Sequence, residues 1–388
     1  MSRTHCIVAA ALAFAAPLSA QGKLVNLTGR PIVALEEPFT SINGVRELPG
    51  NRAIVVDAGE KTVQMADFTR RTLTKISRNG SGPGEYQLPM AAYAGPDNNT
   101  YVSDPMVGKV HVVTADGKIP STIFPPGGDG PGSLIVPRSI DSRGRLYYQG
   151  MGFIPGENRM SDTVPIVRWD PVAKRVDTLT YVPSGMVNTV NSSANRTSFT
   201  MRMNPYTRTD VWAALPDGRV AIVRPDPYRV DIVTGPGKVV KGVPIAYTPV
   251  KIGKAERDAF RKALTSSGGP MMVTRGTTSG GGGGAPSNTG PTVSRGTPGA
   301  IADEDFPAVM PAYSNQVRVS PEGEVWVPRN RPASDKVPTY DIFDSNGKLI
   351  GKATLKPGCV VVGFGAGTVY LSRQDPDDDL HYLEKYNR

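Results

Sequence analysis

The chain has 388 residues, 39% of them hydrophobic and 20% charged, with 44 Lys and Arg against 35 Asp and Glu for a net charge of +9. The length suits one large domain or two ordinary ones, and the positive balance favours anionic partners or an anionic surface. The basic residues are scattered, with no dense tract and no nucleic-acid motif, so nucleic acid is excluded as an expected partner.

Met1–Ala20, MSRTHCIVAAALAFAAPLSA, carries a short basic start at Arg3, an apolar run from Ile7 to Ala16, Pro17, and small residues at Ser19 and Ala20. This pattern predicts a secretory signal peptide cleaved after Ala20, and hence an exported protein, periplasmic or secreted. The apolar run is too short to span a membrane and no other segment is longer, so no membrane span is expected. Of the two cysteines, Cys6 lies inside the signal, ahead of the apolar run and not placed for lipid attachment. The mature chain keeps Cys359 alone and can form no intrachain disulfide, so it must be held by burial and hydrogen bonding, as a large sheet-rich core can be.

Six stretches then share one plan, an apolar strand, a polar turn and a second apolar strand. They are Leu48–Asp57, Gly95–Asp104, Asp141–Gly150, Leu215–Arg224, Ser320–Arg329 and Phe364–Arg373, here units one to six. Their turns hold Asn51, Asn99, Gly144, Gly218, Gly323 and Gly367, residue types that tolerate positive φ in tight hairpins. A third alternating strand follows each turn unit, and most continue through Asp-Gly or Asn-Gly to a fourth. Repeats of roughly 40–50 residues with four antiparallel strands are blades of a β-propeller. The predicted fold is an all-β, six-bladed β-propeller filling 21–388 as one domain.

Two intervals between turns are longer. The first holds Ser184–Arg208, polar and read as a long loop. The second holds a short helix over Lys254–Leu264, with Phe260 and Leu264 on one face, and then Thr265–Ala300, rich in Gly, Ser, Thr and Pro, a disordered insertion that cannot bury enough apolar surface to fold. Unit six lacks an outer strand, and Arg30–Pro38 has no other partner, so this N-terminal segment is expected to pair with unit six and close the ring, removing an exposed edge.

Gly80–Pro89, GSGPGEYQLP, and Gly128–Pro137, GDGPGSLIVP, share three glycines, a Gly-Pro-Gly core and a closing Pro. Neither is a phosphate loop: the P-loop Lys is missing, and the prolines remove an N–H and discourage the helix that should follow. With these segments the chain resembles secreted bacterial six-bladed propellers of the NHL-repeat-like type. The resemblance implies that they link the outer strand of one blade to the inner strand of the next, and it is specific over roughly residues 40–150. Tyr86 and Leu88 are then expected to pack between neighbouring sheets.

Propeller function sits on one face or in the central channel. The residues ending the second strand of each unit should ring one face: Asp57, Asp104, Gln149, Arg224, Arg329 and Arg373. They can be read as an anion-binding mouth, with Arg gripping carboxylate or phosphate, or as strand-end charges paired with one another. The first reading makes the protein a non-catalytic, monomeric scaffold for an anionic ligand or a protein. The alternative, implied by an outline like that of gluconolactonase-like propellers, is a metal-dependent hydrolase or lyase, in which Asp57, Asp104 and Gln149 would supply oxygen ligands to a divalent cation such as Ca²⁺. His111 and His381, in alternating strands, read as packed side chains, Asp375–Asp379 as a solvated turn and Cys359 as a buried apolar residue.

Overall fold

The computed structural model describes residues 22–388 apart from 81, 127–136, 151–152, 155–158, 185–186, 194–195, 203–204, 207, 267–270, 275–291, 296–300 and 315. They form an all-β, propeller-like arrangement with one α-helix among the described residues. The expected signal peptide, the Gly128–Pro137 linker except its last residue, and most of the Gly-rich insertion lie outside them.

Units two, three and four each build a four-stranded antiparallel sheet, ordered from the inner strand outward. Unit five does the same and gains a fifth strand. Units one and six share an eight-stranded sheet, joined where the inner strands Ile42–Leu48 and Cys359–Gly365 run parallel. The six separate sheets of the sequence reading therefore appear as four separate sheets and one shared one. Gly363 lies at the joint opposite Val45, where a Cβ would collide with the Val45 carbonyl.

The N-terminal expectation holds in part of its span: Val33–Ala34 pairs antiparallel with the last strand, His381–Asn387. An unforeseen strand, Lys23–Leu27, adds in parallel to the outer edge of unit five, on Leu349–Leu355.

The core lies between sheets. Each hydrophobic cluster joins two consecutive units, and one joins unit six to unit one. Successive side chains on a strand point to opposite faces. In Val220–Pro225, Val220 and Ile222 pack toward unit three while Ala221 and Val223 pack toward unit five. Burial on both faces explains why the second strands read as unbroken apolar runs.

Tyr86 sits where the linker reading puts it, in the cluster between units one and two. Its hydroxyl donates to the Ser77 carbonyl (2.7 Å) and accepts from the Val63 N–H (3.0 Å). Of the described linker glycines Gly84 alone has a positive φ, +74°. Gly80 and Gly82 instead leave room for the Glu85 carboxylate, which accepts from the Gly82 N–H at 2.7 Å and from Arg78 Nε at 2.5 Å.

Three local expectations need correcting. In the unit-two turn the positive φ values fall on Asp97 and Asn98, and Asn99 is extended. The stretch read as a long loop, Ser184–Arg208, holds an antiparallel ribbon, Val187–Ser193 with Arg196–Arg202. Within the insertion, Met271–Thr274 pairs with Thr292–Arg295. The helix, α1, spans Lys254–Ser266.

Candidate functional site

All six strand-end residues stand at the same place in their sheets, where the second strand finishes beside the start of the inner strand. Each is engaged by its own surroundings. The buried Asp57 carboxylate accepts the N–H groups of Thr40 (2.8 Å), Ser41 (3.1 Å) and Glu60 (3.0 Å). The buried Asp104 carboxylate accepts those of Gln87 (2.7 Å) and Leu88 (3.1 Å), with His111 Nε2 at 3.5 Å. Thr40–Ser41 and Gln87–Leu88 are the segments leading into the inner strands, so the two acids perform one task in two units: they clamp the entering chain. Burial works to raise the Asp104 pKa, but His111 and the two amides outweigh it and hold the carboxyl below its usual range.

Gln149 accepts from Trp212 Nε1 of the next unit at 3.1 Å. The three arginines are met by acids on the neighbouring third strand. Arg224 Nε lies 2.9 Å from Asp231 and its other nitrogen contacts Asp210. Arg329 lies 2.8 Å from Asp341 and its guanidinium stands over the rings of Tyr228 and Tyr247. Arg373 bonds Glu384 (3.1 Å) and Asp375 (3.0 Å). A hard cation needs several converging oxygens. The Asp57 and Asp104 oxygens are already taken by backbone donors of separate units, and among the described residues no three His, Cys, Asp or Glu side chains converge as ligands.

Of the ring, Arg329 lines a cavity of about 340 Å³ at the edge of unit five. Its apolar part comes from Met310, Tyr340, Cys359 and Ala259 of α1. Its polar part includes Arg331 and Lys336, which sequence reasoning passed over. The signal was present as three cations within Arg329–Lys336. Arg331 Nε donates to the Asp335 carbonyl (3.0 Å) and Lys336 Nζ to the Ala333 carbonyl (2.6 Å). Among the described residues neither has a carboxylate at ion-pair distance, and the lining acid Asp335 accepts from the Val337 N–H. Helix α1 is held over the rim by Glu256, whose carboxylate accepts from Ala333 N (3.1 Å) and Gly253 N (2.9 Å). Tyr206 donates to the Glu256 carbonyl at 3.3 Å and stacks on Phe260.

The remaining reactive groups are quiet. Burial pushes the Cys359 thiol up to about 12, far from a nucleophilic thiolate. Burial lowers the His381 pKa, and its Nδ1 lies 2.9 Å from Ser372 Oγ. No described helix is long and apolar enough to cross a membrane.

No family model and no curated protein matches the sequence. Among solved structures, the calcium-binding protein regucalcin of Agrobacterium tumefaciens is 12% identical, over 94% of this chain and 97% of its own, with a TM-score of 0.42. A gluconolactonase of Xanthomonas campestris is 10% identical over 96% and 99%, TM-score 0.42. A luciferin-regenerating enzyme is 12% identical over 92% and 95%, TM-score 0.42. Nothing of ligand or reaction passes from them to this chain, and the propeller-like arrangement rests on the sheet topology.

Proposed function

We propose that this chain is an exported, six-bladed, NHL-repeat-like propeller that binds a small anionic ligand without transforming it, in the cavity between unit five and helix α1. The six-blade count takes the eight-stranded sheet as two blades, because its halves meet over only two residue pairs, Gly363 with Val45 and Phe364 with Arg46. Export rests on the Met1–Ala20 pattern. Amino-terminal sequencing of protein recovered outside the cytoplasm should begin at Gln21; an intact Met1 on that protein would refute the leader.

One observation carries the binding reading: Arg331 and Lys336 line a cavity of ligand size with no carboxylate partner among the described residues, beside apolar walls. That combination suits a carboxylate carried on a small apolar body, gripped by the guanidinium fork. The hydrolase alternative would need oxygen donors other than Asp57 and Asp104, whose lone pairs serve the fold.

Calorimetric titration with benzoate, against uncharged benzyl alcohol, tests this. Benzoate should bind and the alcohol should not. Arg331→Met with Lys336→Met should weaken benzoate at least tenfold, about 1.4 kcal/mol, and Ala259→Trp, which fills the cavity from the helix side, should abolish binding with the fold intact. Equal binding of acid and alcohol, or benzoate affinity untouched by both variants, would refute the assignment.

A further inference from the structure

The strand register places a second, separate set of cations on or next to the inner strands. In each unit the residue three positions before the strand-end residue marks a common height on the second strand: Ile54, Tyr101, Leu146, Ala221, Trp326 and Tyr370. Their partners on the inner strands are Arg46, Tyr93, Ile140, Ala213, Arg318 and Gly363. Arg46 and Arg318 thus stand at one level on the two units that flank unit six, which offers only the hydrogen of Gly363 between them. Arg138 precedes Ile140 by two residues and therefore faces the same side of its strand.

Arg318 and Arg138 reach toward other units. The Arg318 guanidinium donates to the Asn43 carbonyl of unit one at 3.3 Å, while its Nε is buried without a hydrogen-bond partner among the described residues. Arg318 and Arg138 both act electrostatically on the Tyr93 hydroxyl, which donates to the Pro137 carbonyl at 2.9 Å. Arg46 donates to the Glu47 carbonyl, and the Glu47 carboxylate is occupied by Lys385, Thr368 and Tyr370. Among the described residues none of the three has a carboxylate at ion-pair distance, in contrast to Arg224, Arg329 and Arg373. Desolvation works against the charge on each of them, yet a guanidinium stays protonated at any physiological pH. Positive charge is therefore held on partly desolvated side chains that, among the described residues, have no carboxylate at ion-pair distance, Glu47 acting on Arg46 only from beyond it.

We propose that this level of the channel, formed by Arg46, Arg138 and Arg318, is a binding site for a compact divalent oxyanion. Planar guanidinium forks offered from the inner edges of three units match the oxygens of such an ion and supply the charge it lacks. The site differs from the unit-five cavity in its cations and in its ligand: it selects charge density.

The probe is inorganic phosphate, added to the mature full-length chain at ionic strength held constant with sodium chloride, with the thermal unfolding midpoint and calorimetric heat as readouts. A ligand specific to the native state raises the midpoint saturably, and phosphate should do so. Arg318→Met should weaken phosphate at least tenfold while the ligand-free variant melts at or above the parent, because a desolvated cation with an unpartnered Nε has been removed. The exposed Lys75→Met controls for general charge and should leave the response unchanged. Malonate in place of phosphate separates the two oxyanion chemistries; a saturable response to either supports the site. A response to both no greater than to chloride overturns the proposal, as does an Arg318→Met variant that melts lower yet keeps its oxyanion affinity, which would make Arg318 a structural residue.

Discussion

A chain that begins at Phe39 rather than Gln21 should be close to unfolded at room temperature. The missing segment buries Val25, Leu27 and Leu35 in the clusters between units five and six and between six and one. Each such side chain contributes about 1.5–3 kcal/mol, so the three together contribute about 4.5–9 kcal/mol. The segment also supplies the parallel ladder on Leu349–Leu355 and the bonds from Ile32 N to Lys385 O and Leu35 N to Leu383 O. The Lys23–Glu324 pair at 2.7 Å adds little, since the lysine is well exposed. Set against a total of about 5–15 kcal/mol for a typical domain, the loss is nearly the whole margin. Truncation also bares the edge of His381–Asn387, which should make the variant associate. Urea unfolding checks this: a start at Thr28, which removes the first strand with Val25 and Leu27, should lose about two-thirds as much as a start at Phe39. Equal midpoints for the parent and the longer truncation would show that closure contributes nothing.

The closing strand could be anticipated because the sequence left an open account: the last unit had three strands and Arg30–Pro38 had no partner. The second strands were legible for a different reason. Ala53–Val56 and Val220–Val223 are buried on both faces, and two-sided burial writes an unbroken apolar run into the chain. Lys23–Leu27 has only half of that signature, since Leu24 is 84% exposed while Leu27 is 1% exposed, and its parallel partner lies more than 300 residues away. The ribbon Val187–Ser193 with Arg196–Arg202 has only Val187, Val190, Phe199 and Met201 among polar residues, too few for a sustained apolar period to betray it.

The site was legible as a location and not as chemistry. Strand ends bring Asp57, Asp104, Gln149, Arg224, Arg329 and Arg373 to equivalent places, which turn spacing alone can show. Whether an arginine there is available to a ligand depends on its cross-strand partner. Asp231, Asp341 and Glu384 meet Arg224, Arg329 and Arg373 only through register, which composition does not reveal. The inner strands hid their cations more completely. Ser139–Ile140 and Arg318–Val319 are two residues long in the ladder, too short for a periodic signal, so the level shared by Arg46 and Arg318 emerges only once the pairing is known.

Asp104→Asn should lower stability at neutral pH by about 2–4 kcal/mol, an estimate built from two lost or distorted bonds to a buried carboxylate. A carboxylate offers two acceptor oxygens and meets both Gln87 N–H and Leu88 N–H. A carboxamide offers one, and turns an NH₂ donor toward the other amide. The acid limb gives the sharper test. The folded Asp104 pKa is depressed, so its contribution is fully present above the unfolded aspartate value of about 3.9 and is lost as pH falls through the lower folded value. The parent should therefore lose stability in that acid range more steeply than the variant, and the gap between them should be wide at pH 7 and narrow at pH 3. Amide exchange at Gln87 and Leu88 should quicken in the variant before global unfolding does. A gap of the same size at both pH values would mean that ionisation of Asp104 does not hold the entering strand. A narrowing gap would assign this acid to the fold, and by the matching geometry of Thr40 and Ser41 would point the same way for Asp57. The protein's acids would then be its clamps, and the residues with charge to offer a ligand would be the cations of the cavity and the channel.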